Sequence, residues 1–331
     1  FTTKLGRMSI GRKAGRIGMA TMLSRIFGLV REQLFAGLMG AGFYSDAFVN
    51  AFRIPNLLRD LFAEGALSNA FVPTFTEYRI QRSTSEAWAL ANRVLGALLA
   101  IIGGLTLLGI AFAPSIVDII APGLHAIEGK HELTAELTRI MMPFLMLVSI
   151  AALFMGMLNS YERYTLPALA PVLFNVVSIG IGLYLWARSF DNRTAVFGWA
   201  LGTLAAGFAQ MAVQIPPLWR MGWRIRPRLT GIFGDSGLRQ IFWLMVPAIV
   251  SNSGTQVNIL VNSILASWLE EGSVSWLYYA FRIMQLPIGV FGVAISVVTL
   301  TETSKLAAEK NFDALKDRLT SAIVLALLRV V

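Results

Sequence analysis

From Ser24 to Glu77 the chain is apolar enough to sit in a membrane, yet Arg25, Arg31, Glu32, Asp46, Arg53, Arg59 and Glu64 interrupt it. An Arg or Asp at bilayer depth costs roughly 2.5 to 3.5 kcal/mol on insertion scales, so it persists mainly where it pairs or faces a water-filled space. This conflict restricts the fold to membrane-crossing helices around a polar interior and marks the stretch as the site. The composition agrees: 14% of residues are charged and 56% hydrophobic, with a mean hydropathy of +0.64, whereas soluble domains carry about 25% charged residues.

Against a hydrocarbon core about 30 Å thick, which needs about 20 apolar helical residues, the pattern predicts helices near 16–37, 45–78, 92–112, 138–158, 167–187, 194–217, 240–268 and 274–301. A ninth begins near 320 and reaches Val331 after too few residues to span, so a longer protein is expected to continue past that residue. The basic Lys4-to-Arg16 segment is not followed by an apolar run with a small-residue cleavage site and does not read as a signal peptide. With the N-terminus inside, cytoplasmic loops collect eighteen Lys and Arg residues against three, Lys130, Arg188 and Arg193, on the opposite side. The net charge of +9 is then a topology signal with attraction to anionic membrane lipids, and no nucleic-acid partner is expected. Trp186, Trp219, Trp223 and Trp276, near helix ends, read as interface anchors.

Two predicted helices carry breakers. Pro55, Gly65 and Pro73 fall in 45–78, and Pro287, Gly289 and Gly292 in 274–301; kinks at membrane depth are tolerated where they line a cavity. The two segments also share residues: Ala51-Phe52-Arg53-Ile54 recurs as Ala280-Phe281-Arg282-Ile283, and Thr74-Phe75-Thr76-Glu77 as Thr299-Leu300-Thr301-Glu302. Gly42 and Ser45 precede the first copy as Gly272 and Ser275 precede the second. The expectation is an all-α, polytopic transmembrane bundle with two pseudo-repeated lobes around a central cavity. Residues 1–218 form the N-terminal lobe, 219–239 a basic cytoplasmic linker and 240–331 the start of a C-terminal lobe whose remainder is missing.

At 100° per residue Arg25 and Glu32 share a helix face, as do Asp46 and Arg53, with Glu64 near Arg53. Five arginines, counting Arg282, exceed the three carboxylates Glu32, Asp46 and Glu64, and the surplus suits an anion, since the guanidinium fork holds phosphate bidentately. Other readings stand beside this one: Arg25 and Arg31 as snorkelling side chains near helix ends, and Arg53 with Asp46 as a buried structural pair. Asn56, after Pro55, either bonds carbonyls freed by a kink, the preferred reading, or meets a sugar hydroxyl. Nothing resembles a nucleophile, P-loop or metal-ligand spacing, so no enzyme and no cofactor is expected. The chain has no cysteine; its two histidines, His125 and His131, fall in one polar loop at a spacing unlike a helical ligand pair. No metal site is expected there. Asp118, Glu128 and Glu132 read as a solvated surface, and Asn192-Arg193-Thr194, a glycosylation-like pattern, as a polar turn.

The run Ser24-Arg25-Ile26-Phe27-Gly28-Leu29-Val30-Arg31-Glu32, then Gly40-Ala41-Gly42 with Ser45-Asp46-Ala47-Phe48, Arg53-Ile54-Pro55-Asn56-Leu57-Leu58-Arg59, and Phe62-Ala63-Glu64-Gly65-Ala66, resembles the MurJ (MviN) lipid II flippases. So does Ser273-Val274-Ser275-Trp276-Leu277-Tyr278-Tyr279-Ala280 before Arg282. The resemblance covers essentially the whole chain. It implies a multi-pass transporter of the MOP exporter (MATE-like) superfamily in the bacterial inner membrane, with lipid II as substrate and peptidoglycan synthesis machinery as a partner. By the same resemblance Arg25, Arg31, Arg59 and Arg282 hold the pyrophosphate and Asp46 is a functional acid; the pattern of charges adds Glu32, Arg53, Asn56 and Glu64 beside Asp46 as cavity or gating residues. Glu32 stands where the family usually has Asp, and Phe281 where some relatives carry an acid. Flippases for other lipid-linked oligosaccharides and a non-transporting scaffold are the alternatives.

Overall fold

The first helix, α1 (Thr2–Met39), has 38 residues and extends the predicted 16–37 toward the N-terminus through a basic stretch that contains no proline. It stops at Gly40, whose φ of +66° takes the left-handed conformation that ends helices, while its N–H donates to the Ala36 carbonyl at 2.8 Å. The computed structural model describes residues 2–62, 66–230, 234–287, 299, 303 and 312–330. All the elements in these residues are helical.

The single helix expected over 45–78 is two: α2 (Phe43–Phe62), which keeps Pro55 inside it, and α3 (Ser68–Glu77), which keeps Pro73. A π-helical turn follows, Tyr78–Arg82, with Arg79 over the Tyr161 ring and Arg82 over Tyr78. Next come α4 (Thr84–Ala111), α5 (Ala113–Ile120), a 3-10 turn (Pro122–Ala126), α6 (Lys130–Met141) and α7 (Pro143–Ser160). The chain continues through α8 (Thr165–Ala187), α9 (Asn192–Ala212), α10 (Ile215–Arg220), α11 (Ser236–Ser267), α12 (Ser273–Pro287) and α13 (Phe312–Val330). Several helices start earlier than the hydropathy indicates, because polar caps begin them. Ser83 Oγ accepts from the Glu86 N–H at 3.1 Å and opens α4 eight residues early. Asp191 does the same for Thr194 at 3.1 Å, so the Asn192-Arg193-Thr194 pattern is the first turn of α9 and not a polar turn.

Among the described residues, five helical spans are long and apolar enough to cross a membrane: Thr84–Ala111, Lys130–Ser160, Thr165–Ala187, Asn192–Arg220 and Ser236–Ser267. α1 and α2 have the length, but their charges are the polar stretch identified above. Exposed apolar side chains such as Ile101, Leu107, Leu183, Phe208 and Val250 form the kind of surface that lipid covers. The protein is a multi-pass membrane protein. In lipid, helices associate by close packing and hydrogen bonding more than by apolar burial. Accordingly α1 packs on α8 and α8 on α9, with Gly182 seated against Trp199 and Leu34, where a Cβ would approach within 2.6 Å. Thr134, Thr138, Ser149 and Thr203 turn their hydroxyls onto carbonyls four residues back.

Phe71, Phe75, Leu90, Phe154 and Trp223 centre the core where α3, α4 and α7 meet the segment after α10. Trp223 is therefore no interface anchor: it is fully buried, edge-on to Phe154 at 5.3 Å, whereas Trp186, Trp219 and Trp276 are exposed. The backbone beyond Trp223 is pinned to α4, since Arg226 N–H donates to Asn92 Oδ1 and Arg228 N–H to the Asn92 carbonyl, both at 3.1 Å. Only a glycine fits at position 96, where a Cβ would lie 2.3 Å from the Arg228 carbonyl oxygen. Residues Phe1–Trp276 form one compact unit and Leu277–Val331 another. The predicted breakers Gly289 and Gly292, and most of the second Thr-Leu-Thr-Glu copy, lie outside the described residues.

Candidate functional site

Polar contacts join α1 to α8 at Ser24 and at Arg31. Asn175 of α8 donates to the Ser24 carbonyl at 3.0 Å, and the half-buried Arg25 follows without a hydrogen bond or ion pair among the described residues. One turn and a half later Arg31 pairs with its neighbour Glu32 and lies over the Phe174 ring at 5.2 Å. Glu32 shares a face with Arg25, yet it pairs with Arg31, which lies over the aromatic ring.

Along α2 the arginines turn toward α11. Arg53 donates to Ser263 Oγ, so the pairing with Asp46 read as an alternative from their common face does not form. Arg59 makes a two-pronged contact with Asp60, 3.0 Å from Nε and 2.8 Å from Nη2, and Gln256 donates to the other Asp60 oxygen at 3.3 Å. Asp60 was overlooked in the sequence because adjacent residues point to different helix faces, but the long guanidinium folds back to it. Asn56 Oδ1 is buried without a hydrogen-bond partner among the described residues, and Asn56 makes no bond to carbonyls near Pro55. An unpaired buried acceptor of this kind suits a donor from outside the chain. Glu64 lies outside the described residues.

Asp46 occupies the most saturated position. Lys130, at the start of α6, donates to its Oδ2 at 2.9 Å, with both side chains 2% exposed. Gly272 N–H reaches the same oxygen at 2.8 Å, while Ser275 N–H and Oγ reach Oδ1 at 2.9 and 2.6 Å. Lys130, counted above among the outside-loop charges, is instead a buried partner of this carboxylate; that is why α6 begins eight residues before the predicted 138. Ser275 Oγ also lies 2.9 Å from Ser45 Oγ, so the serines matched by the sequence repeat touch each other. Ser275 has one hydroxyl proton, shared between Asp46, the stronger acceptor, and Ser45, whose own hydroxyl donates to the Gly42 carbonyl at 3.1 Å. The cluster ties α2, the start of α6 and the first turn of α12 together at one end of the first unit.

Within the second unit, Arg282 donates to Tyr278 Oη at 3.2 Å and lies over its ring at 5.0 Å. The histidines do not share one loop: His131 lies in the first turn of α6 and is buried, and it meets His125 of the 3-10 turn and Asp118 near the end of α5. Glu128 and Glu132 are exposed, as expected.

Among the described residues of the first unit, Arg25, Arg31, Arg53, Arg59 and Lys130 stand against Glu32, Asp46 and Asp60, five cations to three carboxylates, so a positive surplus remains after the new pairs are counted. Such an arrangement can hold and release an anion.

A family model described as lipid II flippase MurJ matches residues 35–331. A Rhizobium meliloti protein named probable lipid II flippase MurJ is 39% identical over 310 residues, covering 92% of this chain and 57% of the relative. A Burkholderia cenocepacia protein named lipid II flippase MurJ is 36% identical over 315 residues, covering 94% and 60%. The chain thus spans less than two thirds of the length of these curated relatives. Among solved structures, a lipid II flippase MurJ in an inward closed conformation superposes with a TM-score of 0.74 at 26% identity, over 94% of this chain and 63% of that one. An inward-facing multidrug resistance MATE transporter of the MOP superfamily, at 19% identity and a TM-score of 0.72, shares the fold.

Proposed function

The chain belongs to the lipid II flippase MurJ family, and from that premise we propose that it moves lipid II, the undecaprenyl-pyrophosphate disaccharide-pentapeptide, from the inner to the outer leaflet of the bacterial inner membrane. The N-terminus is cytoplasmic in this reading, and access alternates between two lobes, 1–218 and 240 onward, joined by residues 219–239. The observation that carries it is the surplus of cations along α1 and α2, in helices otherwise apolar. A lipid-linked pyrophosphate needs a cationic space for its head and a lateral opening for its tail, and no covalent step. Arg25, Arg31 and Arg59 are the proposed pyrophosphate ligands; Arg282 is given the same role from its sequence match alone. Arg53, Asn56, Glu32 and Glu64 serve the cavity.

The Asp46 cluster supports a second element of the reading, a latch at the outer end. Opening there would separate a buried carboxylate from Lys130 and from the Gly272 and Ser275 donors, which favours the closed outer end until substrate binding offsets the loss. An empty, net-positive cavity is drawn back toward a negative cytoplasm by about 2.3 kcal/mol per charge per 100 mV, so membrane potential drives the reset. Dissipating the potential with ion gradients preserved should slow flipping; an unchanged rate would sink that part.

The test of function is complementation in a bacterium depleted of its own flippase, using the full-length protein with Arg25→Ala, Arg59→Ala or Arg282→Ala and scoring lipid II on each membrane face. Accumulation on the inner face at normal protein levels is expected. Unchanged translocation would remove the arginines from the transport cycle and favour a scaffold.

A further inference from the structure

The chain contains two histidines and no cysteine in 331 residues, and both histidines converge on one carboxylate. His125 Nε2 lies 2.7 Å from Asp118 Oδ1, and His131 Nε2 lies 2.9 Å from the same oxygen. The rings stack with centroids 4.1 Å apart and planes 18° from parallel, which aims the two nitrogens the same way. The three residues come from α5, the 3-10 turn and α6, so the chain folds back on itself to bring them together. Nothing in the transport reading uses them.

The cluster is poorly explained as a hydrogen-bonded surface. His131 is buried, and its Nε2, despite its proximity to Asp118, has no hydrogen-bond partner among the described residues. A buried ring nitrogen whose 2.9 Å contact with the Asp118 oxygen falls short of hydrogen-bond geometry is under-satisfied, and a metal ion would satisfy it. Asp118 and His125 are about half exposed, leaving a route for an ion and room for water to complete its coordination.

We propose that Asp118, His125 and His131 bind a divalent transition-metal ion of the zinc class. Two imidazoles and a carboxylate form a donor set suited to Zn²⁺, Co²⁺ or Ni²⁺ and unlike the all-oxygen shells of Mg²⁺ and Ca²⁺. The ligand atoms lie within 4.8 Å of one another. Tetrahedral zinc at about 2.0–2.1 Å from each ligand sets them roughly 3.3 Å apart, so the present 2.7 and 2.9 Å contacts need to open by about half an ångström. That is within the reach of side-chain torsions on the two exposed members. The ion would staple the end of α5 to the first turn of α6. Lys130, the latch partner of Asp46, precedes His131 in that turn, so metal occupancy would stiffen the element carrying the latch.

The experiment titrates ZnCl₂ into the purified full-length protein in detergent, in competition with a chromophoric chelator, and repeats the titration with CoCl₂, whose visible absorption reports nitrogen ligation. The expected result is one equivalent bound by the wild type and binding at least tenfold weaker in His125→Gln, with the cobalt band lost. MgCl₂ should not compete. His125 is exposed, so this variant should keep the wild-type melting temperature without metal, and the metal-induced rise in melting temperature should vanish in it. No binding by the wild type, or undiminished binding by His125→Gln and His131→Gln alike, would overturn the proposal.

Discussion

Lys130 reaches Asp46 across 84 residues of sequence with a 2.9 Å charge-assisted hydrogen bond, both side chains almost wholly removed from solvent. The partners are unequally supported. Asp46 keeps three further donors from Gly272 and Ser275, while among the described residues the Lys130 ammonium has beyond it the Phe43 ring at 5.9 Å. Breaking a buried pair from one side costs about 3–5 kcal/mol because a charge is left unpaired. Asp46→Leu is expected in that range and Lys130→Met below it, with the double variant recovering part of the loss. Denaturant unfolding in detergent measures the order; the reverse order would mean the ammonium is held by something other than Asp46.

Asp60 is the resident anion on Arg59 and so competes with any phosphate that arginine takes. Asp60→Asn removes the charge and keeps an oxygen for Gln256. Binding of undecaprenyl pyrophosphate should tighten by roughly tenfold, about 1.4 kcal/mol, and flipping should slow as release becomes harder. Weaker binding would remove Arg59 from the pyrophosphate site.

Gly96 admits the Arg228 carbonyl at a distance no Cβ tolerates. Gly96→Ala should displace the segment after Trp223 and cost about 1–3 kcal/mol, the usual range for overpacking. Trypsin should then cut faster at Arg224 and Arg228, Arg226 being shielded by the proline that follows it. An unchanged digestion pattern would show that α4 yields instead of the segment.

Asp191 caps α9, and hydrogen bonds from the Thr194 side chain, then its backbone N–H, hold its carboxyl below the ordinary range. A lowered folded-state pKa stabilises above the unfolded value, about 3.9, and the benefit is lost as pH falls through the folded value. Amide protection in the first turn of α9 should therefore fall on acidification below about pH 4. Asp191→Asn, still a good cap, should flatten that dependence; a persistent slope would assign it to another group.

Apolar length made the membrane helices legible in the sequence, and charge against that background made α1 and α2 stand out. The partners of those charges were much less legible. Helical periodicity groups residues on one helix, so it linked Arg25 with Glu32 and Asp46 with Arg53, but the structure pairs Arg31 with Glu32 and sends Arg53 to Ser263 on α11. Lys130 looked like a loop residue because a polar run surrounds it; burial by Asp46 is a tertiary fact with no local trace. Trp223 was misread for a related reason: amphipathic aromatics near helix ends are common at membrane interfaces, and only the fold puts this one against Phe154. Spacing rules for ligands on one helix likewise missed His125 and His131, which meet through a turn. A signal was available in the repeat, which matched Ser45 with Ser275 before their contact was seen.

That contact makes two positions in the chain a single unit of inheritance. If the matched segments descend from one duplicated ancestor, Ser45 and Ser275 began as the same residue facing its own copy, and a mutation in either is felt first by its twin. Their substitutions should not be independent: the energy of changing both should differ from the sum of the separate changes, and drift at one position should be tolerated chiefly when the other moves with it.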